Sequence, residues 1–170
     1  MLKNVIGLMS GTSMDGVDAA YLKTNGIDII ETGMAITLPY GKSFRNELSE
    51  VVSKGVYSKN VESQITNIHA EAVKHLIKKN GDARGSVDLI GFSGHTIYHI
   101  PNEKKTFQIG DGAMLADLTG IDVVSDFRSN DMINGGQGAP IAPVYHQVLA
   151  NNLKKPVVIL NIGGVANITY

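Results

Sequence analysis

The sequence predicts an α/β protein whose mixed sheet opens with an antiparallel three-stranded meander and is flanked by helices. Two apolar runs near the N-terminus, at 5–9 and 17–21, are separated by a turn of small residues. Two later segments repeat apolar residues at helical spacing. Short apolar runs bounded by turn residues then follow, as is typical of buried strands in a sheet covered by helices.

The first hairpin is predicted between Val5 and Tyr21. Its turn collects small and hydroxylated residues, namely Ser10, Gly11, Thr12, Ser13, Asp15 and Gly16. Such a turn presents backbone N–H groups and short O–H donors, which suit an anionic oxygen. No Gly-Lys-Ser/Thr follows, so the turn is not a Walker loop. It is interpreted either as a phosphate-binding turn or as an ordinary hairpin turn.

The elements after this hairpin follow from changes in apolar period. A third strand at 27–37 completes the meander. Helical spacing from Phe44 predicts a helix that ends near Gly55, and a longer helix follows from Val61 to Lys79. The remaining elements predicted up to residue 153 are strands at 87–92, 106–109 and 121–125 and helical segments at 113–118 and 141–153, with a glycine-rich loop at 134–138.

The end of the chain repeats the design of its beginning. After Pro156, an apolar strand at 157–160 leads into a turn with Asn161, Gly163 and Gly164, and a second strand starts at Val165. We therefore expect a first domain at 1–155, and at 156–170 the opening hairpin of a second, related domain that is truncated at Tyr170. In the alternative, 156–170 completes a single sheet.

Composition narrows the function classes. The chain has 15 basic and 16 acidic residues without a dense basic cluster, so neither nucleic acid nor an anionic membrane is an expected partner. No apolar run approaches the roughly 20 residues of a membrane span. Gly, Ser and Thr interrupt the N-terminal apolar run where a signal peptide would be continuous, so we expect a cytoplasmic protein. The absence of Cys excludes disulfides, thiolate catalysis and cysteine-based metal sites.

Four long motifs carry a family resemblance. They are GLMSGTSMDGVDAA at 7–20, FSGHTIYHIP at 92–101, TFQIGDGAMLADLTGIDVVSDFRSNDMINGGQGAPIAP at 106–143 and LNIGGVANIT at 160–169. Together they resemble the anhydro-N-acetylmuramic acid kinases of bacterial peptidoglycan recycling. The resemblance implies the actin-like ATPase fold (ribonuclease H-like), which this family shares with hexokinase and Hsp70. In that superfamily, two domains each open with a β-meander and close over ATP.

The resemblance also implies a reaction. The family opens the 1,6-anhydro ring of its substrate with water and transfers the γ-phosphoryl group of ATP to O6, which gives N-acetylmuramic acid 6-phosphate. ATP and Mg²⁺ are the implied cofactors, a small anhydro amino sugar is the implied substrate, and a homodimer is left open.

The resemblance implies that both glycine turns bind ATP. The residues concerned are Gly11, Thr12, Ser13, Met14, Asp15, Gly16, Val17, Asp18, Gly163 and Gly164. Gly11 and Gly16 permit close backbone approach, and the hydroxyl groups can donate to phosphate oxygens. An Asp beside a triphosphate repels it unless Mg²⁺ lies between them, so Asp15 and Asp18 are either indirect Mg²⁺ partners or turn-forming residues. We favour the metal role for Asp15 and the turn role for Asp18.

Further residues are implied on the sugar side. His95 and Thr96 are expected to line it, although a structural histidine bonded to backbone competes with the sugar role for His95. His95 and His99 are four residues apart, but their surroundings indicate strand and loop, so a metal pair is not expected. Gln108 and Asp111 suit sugar hydroxyls or the N-acetyl group, and turn stabilisation explains them equally well.

Arg128 follows a predicted strand and is flanked by two acids. A planar guanidinium recognises carboxylates through two parallel hydrogen bonds, which suits the lactyl group of muramic acid. The alternative is a local ion pair with Asp126 or Asp131.

Two departures from the expected pattern bear on catalysis. Many proteins of the wider superfamily place an Asp two residues before the turn glycine, where it helps to hold Mg²⁺ through water, and this chain has Met9 at that position. The family's general base is an Asp in an Asp-Thr-Gly-Pro-Gly-Asn stretch, which does not occur at 1–170. We expect that base beyond Tyr170 and no activity from the 170-residue piece alone. The alternative is a non-catalytic chain that binds sugar or nucleotide.

Overall fold

The computed structural model describes residues 1–81, 87–163 and 166–170. The strands are β1 (Lys3–Ser10), β2 (Gly16–Thr24), β3 (Ile29–Pro39), β4 (Leu89–Ile100), β5 (Lys105–Ile109), β6 (Val123–Ser125), β7 (Ile159–Ile162) and β8 (Ala166–Thr169). The α-helices are α1 (Lys42–Lys54), α2 (Lys59–Lys79), α3 (Gly112–Thr119), α4 (Ser129–Ile133) and α5 (Ala142–Ala150), and a 3-10 turn at Pro101–Glu103 follows β4.

The main sheet is mixed and has the strand order β3-β2-β1-β4-β5. The first three strands form the predicted antiparallel meander. Strand β4 runs parallel to β1, and its outer edge pairs first with β6 in parallel and then with β5 in antiparallel orientation. The α/β class with flanking helices is therefore confirmed, and it is consistent with an actin-like ATPase fold.

The core lies between the sheet and the helices. Alternation along β1 buries Ile6 and Leu8 on one face, and helix α2 packs over β2 and β3 with the buried residues Ile65 and Val73. The Ser58 hydroxyl accepts a hydrogen bond from the backbone of Val61 and so caps the start of α2. Burial of one face of the meander thus fixes the register that leads into the first turn.

Several predicted boundaries differ from those observed. The apolar run at 87–92 was expected to be a short strand, but β4 continues to Ile100 because its second half pairs with β5. Helix α4 was not predicted, since five residues are too few to show helical period. Helix α5 ends at Ala150 rather than at residue 153. Gly55 and Gly120 were correctly predicted to end helices α1 and α3, and both adopt the left-handed conformation.

The second hairpin forms a separate two-stranded sheet of β7 and β8. Strand β7 begins at Ile159, two residues later than expected, and includes Asn161, which was expected in the turn. Its partner strand is observed from Ala166, and the predicted start at Val165 lies outside the described residues. None of the helices in the described ranges combines the length and apolar character that a membrane span requires.

His69 is a buried polar residue of helix α2. Its Nδ1 atom donates to the carbonyl oxygen of Ile65 at 2.7 Å, and its ring meets Phe92 edge-on with centroids 4.9 Å apart. Burial lowers the pKa of His69 to about 4, because the charged form would lose its hydration. The folded chain therefore keeps this ring neutral at pH values where an unfolded chain protonates it.

We expect this histidine to make the protein less stable in mild acid. Between about pH 6.5 and 4 the unfolded chain takes up a proton that folded His69 does not, so stability is lost as pH falls. Urea unfolding at about pH 6.5 and 5 should show that His69→Gln removes roughly 2 kcal/mol of the acid-induced loss. The matched control is His75→Gln, an exposed position on the same helix, which should keep the full loss. An unchanged loss in His69→Gln would contradict this assignment.

Candidate functional site

A cavity of about 350 Å³ lies between the first turn, the middle of β4 and the second hairpin. We call it the cleft. It is lined by Met9, Ser10, Gly11, Thr12, Ser13, Ser93, Gly94, Thr96, Arg128, Asn161, Gly163 and Asn167. These described lining residues include hydroxyls, amides and one guanidinium but no carboxylate. The cleft is therefore suited to an anion.

The first turn is held by contacts from within and from outside. The backbone of Met14 donates to the Gly11 carbonyl at 3.0 Å, and Met14 itself has a φ of 52°. From helix α1, the Arg45 guanidinium donates to the Ser13 carbonyl at 3.2 Å. Arg45 was not identified from the sequence, because no local pattern connects it to a turn some thirty residues away. It adds a positive charge behind the turn.

Two acids near the turn have different partners. The Asp15 carboxylate accepts a hydrogen bond from the Ser13 hydroxyl at 2.8 Å, and this contact, together with backbone N–H groups, lowers the pKa of Asp15. Asp18 lies on β2 and accepts from the Thr37 hydroxyl at 2.5 Å, so the turn role favoured for Asp18 is wrong. The contacts of Asp15 are those of a turn residue.

The described residues do not form a metal site of their own. No group of three or more His, Cys, Asp or Glu side chains within them could hold an ion. His95 and His99 both lie on β4, four residues apart. A role for Asp15 toward Mg²⁺ through water stays a prediction.

Some residues expected to bind ATP pack against the core and do not line the cleft. Val17 is fully buried in the core, and Met14 packs against the core from its edge. A Cβ at Gly16 would lie 2.4 Å from the Leu38 carbonyl oxygen, so this glycine is required by the contact with β3. Gly163 lines the cleft, and Gly164 lies outside the described residues.

His95 is fully buried and does not line the cleft. Its Nδ1 atom lies 2.7 Å from the Ser10 hydroxyl, which in turn lies 2.6 Å from the Tyr40 hydroxyl. Burial lowers the pKa of His95 to about 4, and a hydrogen bond with the Ser10 backbone acts in the opposite direction. His95 is thus a buried histidine held by Ser10, through the hydroxyl of that residue and its backbone. Sequence reasoning missed Tyr40, and Ser10 was noted only as a turn residue.

A second cavity, of about 260 Å³, adjoins the cleft and shares Ser93 and Gly94 with it. Gln108 lines this second cavity, and its amide donates to the Thr106 hydroxyl at 2.9 Å and to the Thr96 hydroxyl at 3.4 Å. Thr96 lines the cleft itself, so these two residues predicted on the sugar side connect the two cavities.

Asp111 does not line either cavity. It is the N-cap of α3, and its carboxylate accepts from the backbone of Met114 at 3.0 Å. Of the two interpretations of Asp111, its contacts are those of structural stabilisation.

Arg128 lines the cleft and donates from Nη1 to the Gly138 carbonyl at 2.9 Å. The neighbouring acids have backbone partners instead. Asp131 accepts from the Gly138 amide at 2.7 Å, and Asp126 accepts from the Ser129 amide at 3.2 Å. No salt bridge among the described residues joins Arg128 to either acid, so the ion-pair alternative is wrong. Its role toward a carboxylate stays a prediction.

A larger cavity, of about 750 Å³, lies between α5 and the second hairpin. Its described lining includes Ala150, Pro156, Val157 and Ile159, and the His146 ring contacts the Thr169 hydroxyl at 2.7 Å. This cavity contains no turn of small residues with converging donors. We therefore regard the smaller cleft as the candidate site.

Comparison with known proteins identifies the family of the chain. The family described as anhydro-N-acetylmuramic acid kinase matches residues 3–170. Proteins of that name from Paramagnetospirillum magneticum and Agrobacterium fabrum are 49% and 44% identical to this chain, covering 97% and 99% of it but 46% and 49% of their own length. One from Rhizobium etli is 42% identical over 100% of the chain and 50% of its own length. The chain spans about half the length of the curated relatives it matches. The resemblance carried by the four motifs is confirmed, and the chain belongs to the anhydro-N-acetylmuramic acid kinase family.

Proposed function

We propose that the chain is the nucleotide-binding first half of an ATP-dependent sugar kinase. The substrate is anhydro-N-acetylmuramic acid, whose 1,6-anhydro ring is opened by water while O6 receives the γ-phosphoryl group, giving N-acetylmuramic acid 6-phosphate. The observation that carries the proposal is the cleft, whose described lining contains one cation, many donors and no carboxylate. Such a lining favours the developing negative charge of phosphoryl transfer.

The nucleotide phosphates bind at the first turn. Backbone N–H groups at Gly11 and its neighbours and the hydroxyl of Thr12 are the donors, and the Thr12 side chain is exposed to the cleft. The Ser13 side chain also lines the cleft, but its hydroxyl proton is donated to Asp15, so Ser13 contributes its backbone N–H. A Cβ at Gly11 would meet only ordinary contacts, at 3.5 Å from the Met9 methyl, so the space over this glycine belongs to the cleft. Asn167 contributes from the opposite hairpin.

The second hairpin forms the opposite wall of the cleft. We propose that 1–155 is one actin-like domain and that 156–170 opens a second. Placing phosphates between two such hairpins allows closure to position the transferring group against the sugar.

The sugar lies toward Arg128 and the second cavity. Arg128 uses Nη1 for the Gly138 carbonyl, which leaves other guanidinium N–H groups for the lactyl carboxylate. Thr96 and Gln108 line these two cavities, where the Thr96 hydroxyl can donate to a sugar hydroxyl and the carbonyl oxygen of Gln108 can accept from one.

The described lining of the cleft contains no carboxylate that could bind Mg²⁺ directly or act as the general base. Mg²⁺ commonly keeps several waters and binds through substrate phosphates, which fits a lining of hydroxyls. The general base is proposed to come from the Asp-Thr-Gly-Pro-Gly-Asn stretch of the family, which this chain does not contain. A carboxylate there would accept a proton from the attacking water.

The proposed activity is tested by coupled ADP release. The full-length protein should release ADP only when anhydro-N-acetylmuramic acid is present. A verified 170-residue product should release none, because its described cleft residues include no carboxylate base. Turnover by that product would contradict the proposal that the general base lies outside residues 1–170. A full-length protein that binds sugar or nucleotide without turnover would favour the non-catalytic alternative.

The phosphate turn is tested by Gly11→Val in the full-length protein. The branched side chain should occupy the space above the turn and weaken ATP binding about tenfold or more, while the fold survives because the new Cβ meets no contact closer than 3.5 Å. Calorimetry measures the affinity, and circular dichroism checks the fold. The control is Gly41→Ala, before α1, where a Cβ would meet nothing within 4 Å. Equal ATP affinity in Gly11→Val and the parent would reduce the turn to a structural role.

Arg128 is tested with two sugars. Arg128→Ala should weaken binding of anhydro-N-acetylmuramic acid more than that of anhydro-N-acetylglucosamine, which lacks the lactyl group, by about 1.5–3 kcal/mol. Loss of the contact to Gly138 affects both sugars alike, so the difference isolates the carboxylate. Arg128→Lys should recover only part of the difference, because an ammonium lacks the planar fork. Equal penalties for both sugars would reject the assignment.

A further inference from the structure

A buried chain of three hydrogen-bonding side chains ends at the cleft. The Ser10 hydroxyl lies 2.6 Å from Tyr40 Oη and 2.7 Å from His95 Nδ1, and all three side chains are buried. Ser10 alone of the three lines the cleft. A serine hydroxyl has one proton and two lone pairs, so the direction of these two bonds determines where the proton of Ser10 points.

The bond between Tyr40 and Ser10 is satisfied best with Tyr40 as the donor. Within the described residues, the Ser10 hydroxyl is the recorded partner of Tyr40 Oη. Burial raises the pKa of Tyr40 to about 12, so the phenol keeps its proton near neutral pH. If Ser10 donated to Tyr40 instead, the phenol proton would be buried without a partner, which costs more than leaving a lone pair unused.

The unpartnered ring nitrogen of His95 favours His95 as a donor to Ser10 as well. Its Nε2 atom is buried and has no partner among the described residues. If Nδ1 accepted from Ser10, the ring proton would sit on Nε2 as an orphaned donor, and such buried N–H groups are rarer than unpaired acceptors. A proton on Nδ1 leaves only a bare lone pair at Nε2.

His69 provides a precedent in the same core. Its Nδ1 faces the Ile65 carbonyl, which can only accept, so Nδ1 carries the proton. Its Nε2 likewise has no partner among the described residues. The fold therefore already accommodates a neutral histidine with an unpaired Nε2 lone pair.

We infer that Ser10 receives hydrogen bonds from both Tyr40 and His95 and directs its own proton into the cleft, where it donates to an anionic oxygen. Tyr40 and His95 are then positioning residues that act through Ser10. The identity of the oxygen rests on the proposed function. Since Ser10 immediately precedes Gly11 of the phosphate turn, the acceptor is a phosphoryl oxygen of the nucleotide rather than the lactyl carboxylate near Arg128.

The direction of the bonds is tested without any change to the network. Long-range ¹H–¹⁵N NMR of the full-length protein, labelled with ¹⁵N at its histidines, reports which ring nitrogen carries the proton. The His95→Gln variant is used only to assign the signals. We expect His95 to show a protonated Nδ1 and a bare Nε2, with His69 showing the same pattern as an internal reference. A proton on His95 Nε2 would overturn the inference, because Ser10 would then donate to the ring.

The role of the Ser10 proton is tested by calorimetric titration of the full-length protein with Mg·ATP and with the sugar. Ser10→Ala should weaken ATP binding about tenfold or more, as expected for a lost hydrogen bond to a charged group, and should leave sugar affinity nearly unchanged. Tyr40→Phe should weaken ATP binding less, and should add nothing in the Ser10→Ala background, since it acts through Ser10. The control is Tyr98→Phe, whose ring packs against Phe107 and is not part of the network.

The outcomes separate the two proposals. ATP affinity unchanged in a folded Ser10→Ala protein would overturn the role of Ser10 while leaving the kinase proposal intact. A larger effect of Ser10→Ala on sugar than on ATP would overturn the phosphoryl assignment. A parent protein that does not bind ATP would refute the proposed function and the phosphoryl acceptor with it. If Ser10→Ala does not fold, the NMR measurement on the parent still decides the direction of the proton.

Discussion

The parallel pairing of β1 with β4 is the constraint on which the site depends. Along this pair, Leu8 lies opposite Phe92, but Ser10 lies opposite His95, so β4 contains one extra residue at this point. Gly94 makes the irregularity feasible, because it has a φ of 64° and a Cβ there would lie 2.8 Å from the Ile109 carbonyl. The shift brings His95 beneath Ser10, and it brings Ser93 and Thr96 to the cleft beside the first turn. The site is thus built around a β-bulge in an otherwise regular parallel pair of strands.

The charge of the cleft depends on where the acids are used. Asp15, Asp18 and Asp131 all lie in the motifs that surround it, yet each carboxylate accepts hydrogen bonds from nearby hydroxyl or backbone donors. These contacts stabilise the loops and keep the acids out of the cleft lining, which retains Arg128 as its cation. The cleft therefore suits phosphates for two reasons: it has its own donors, and the neighbouring carboxylates are engaged in hydrogen bonds outside its lining.

Sequence patterns predicted those elements that are marked by residues close together in the chain. Alternation in the first strands predicted the meander, and glycine at Gly55 and Gly120 predicted where helices end. The extension of β4 to Ile100 was missed because it depends on pairing with β5, and no local signal marks such a partner. In the site, the small-residue turn indicated Gly11, Thr12 and Ser13. Tyr40 and Arg45 were missed, because only the folded chain brings them to the turn.

The central claim is that nucleotide phosphates lie between the first turn and the second hairpin. Paramagnetic broadening of backbone amide signals by Mn·ATP, compared with diamagnetic Mg·ATP, measures this directly in the full-length protein. The account predicts the strongest loss of signal at Gly11, Thr12 and Asn167, and little at His75 on the exposed side of α2. Broadening centred instead on Gln147, in the cavity between α5 and the second hairpin, would contradict it.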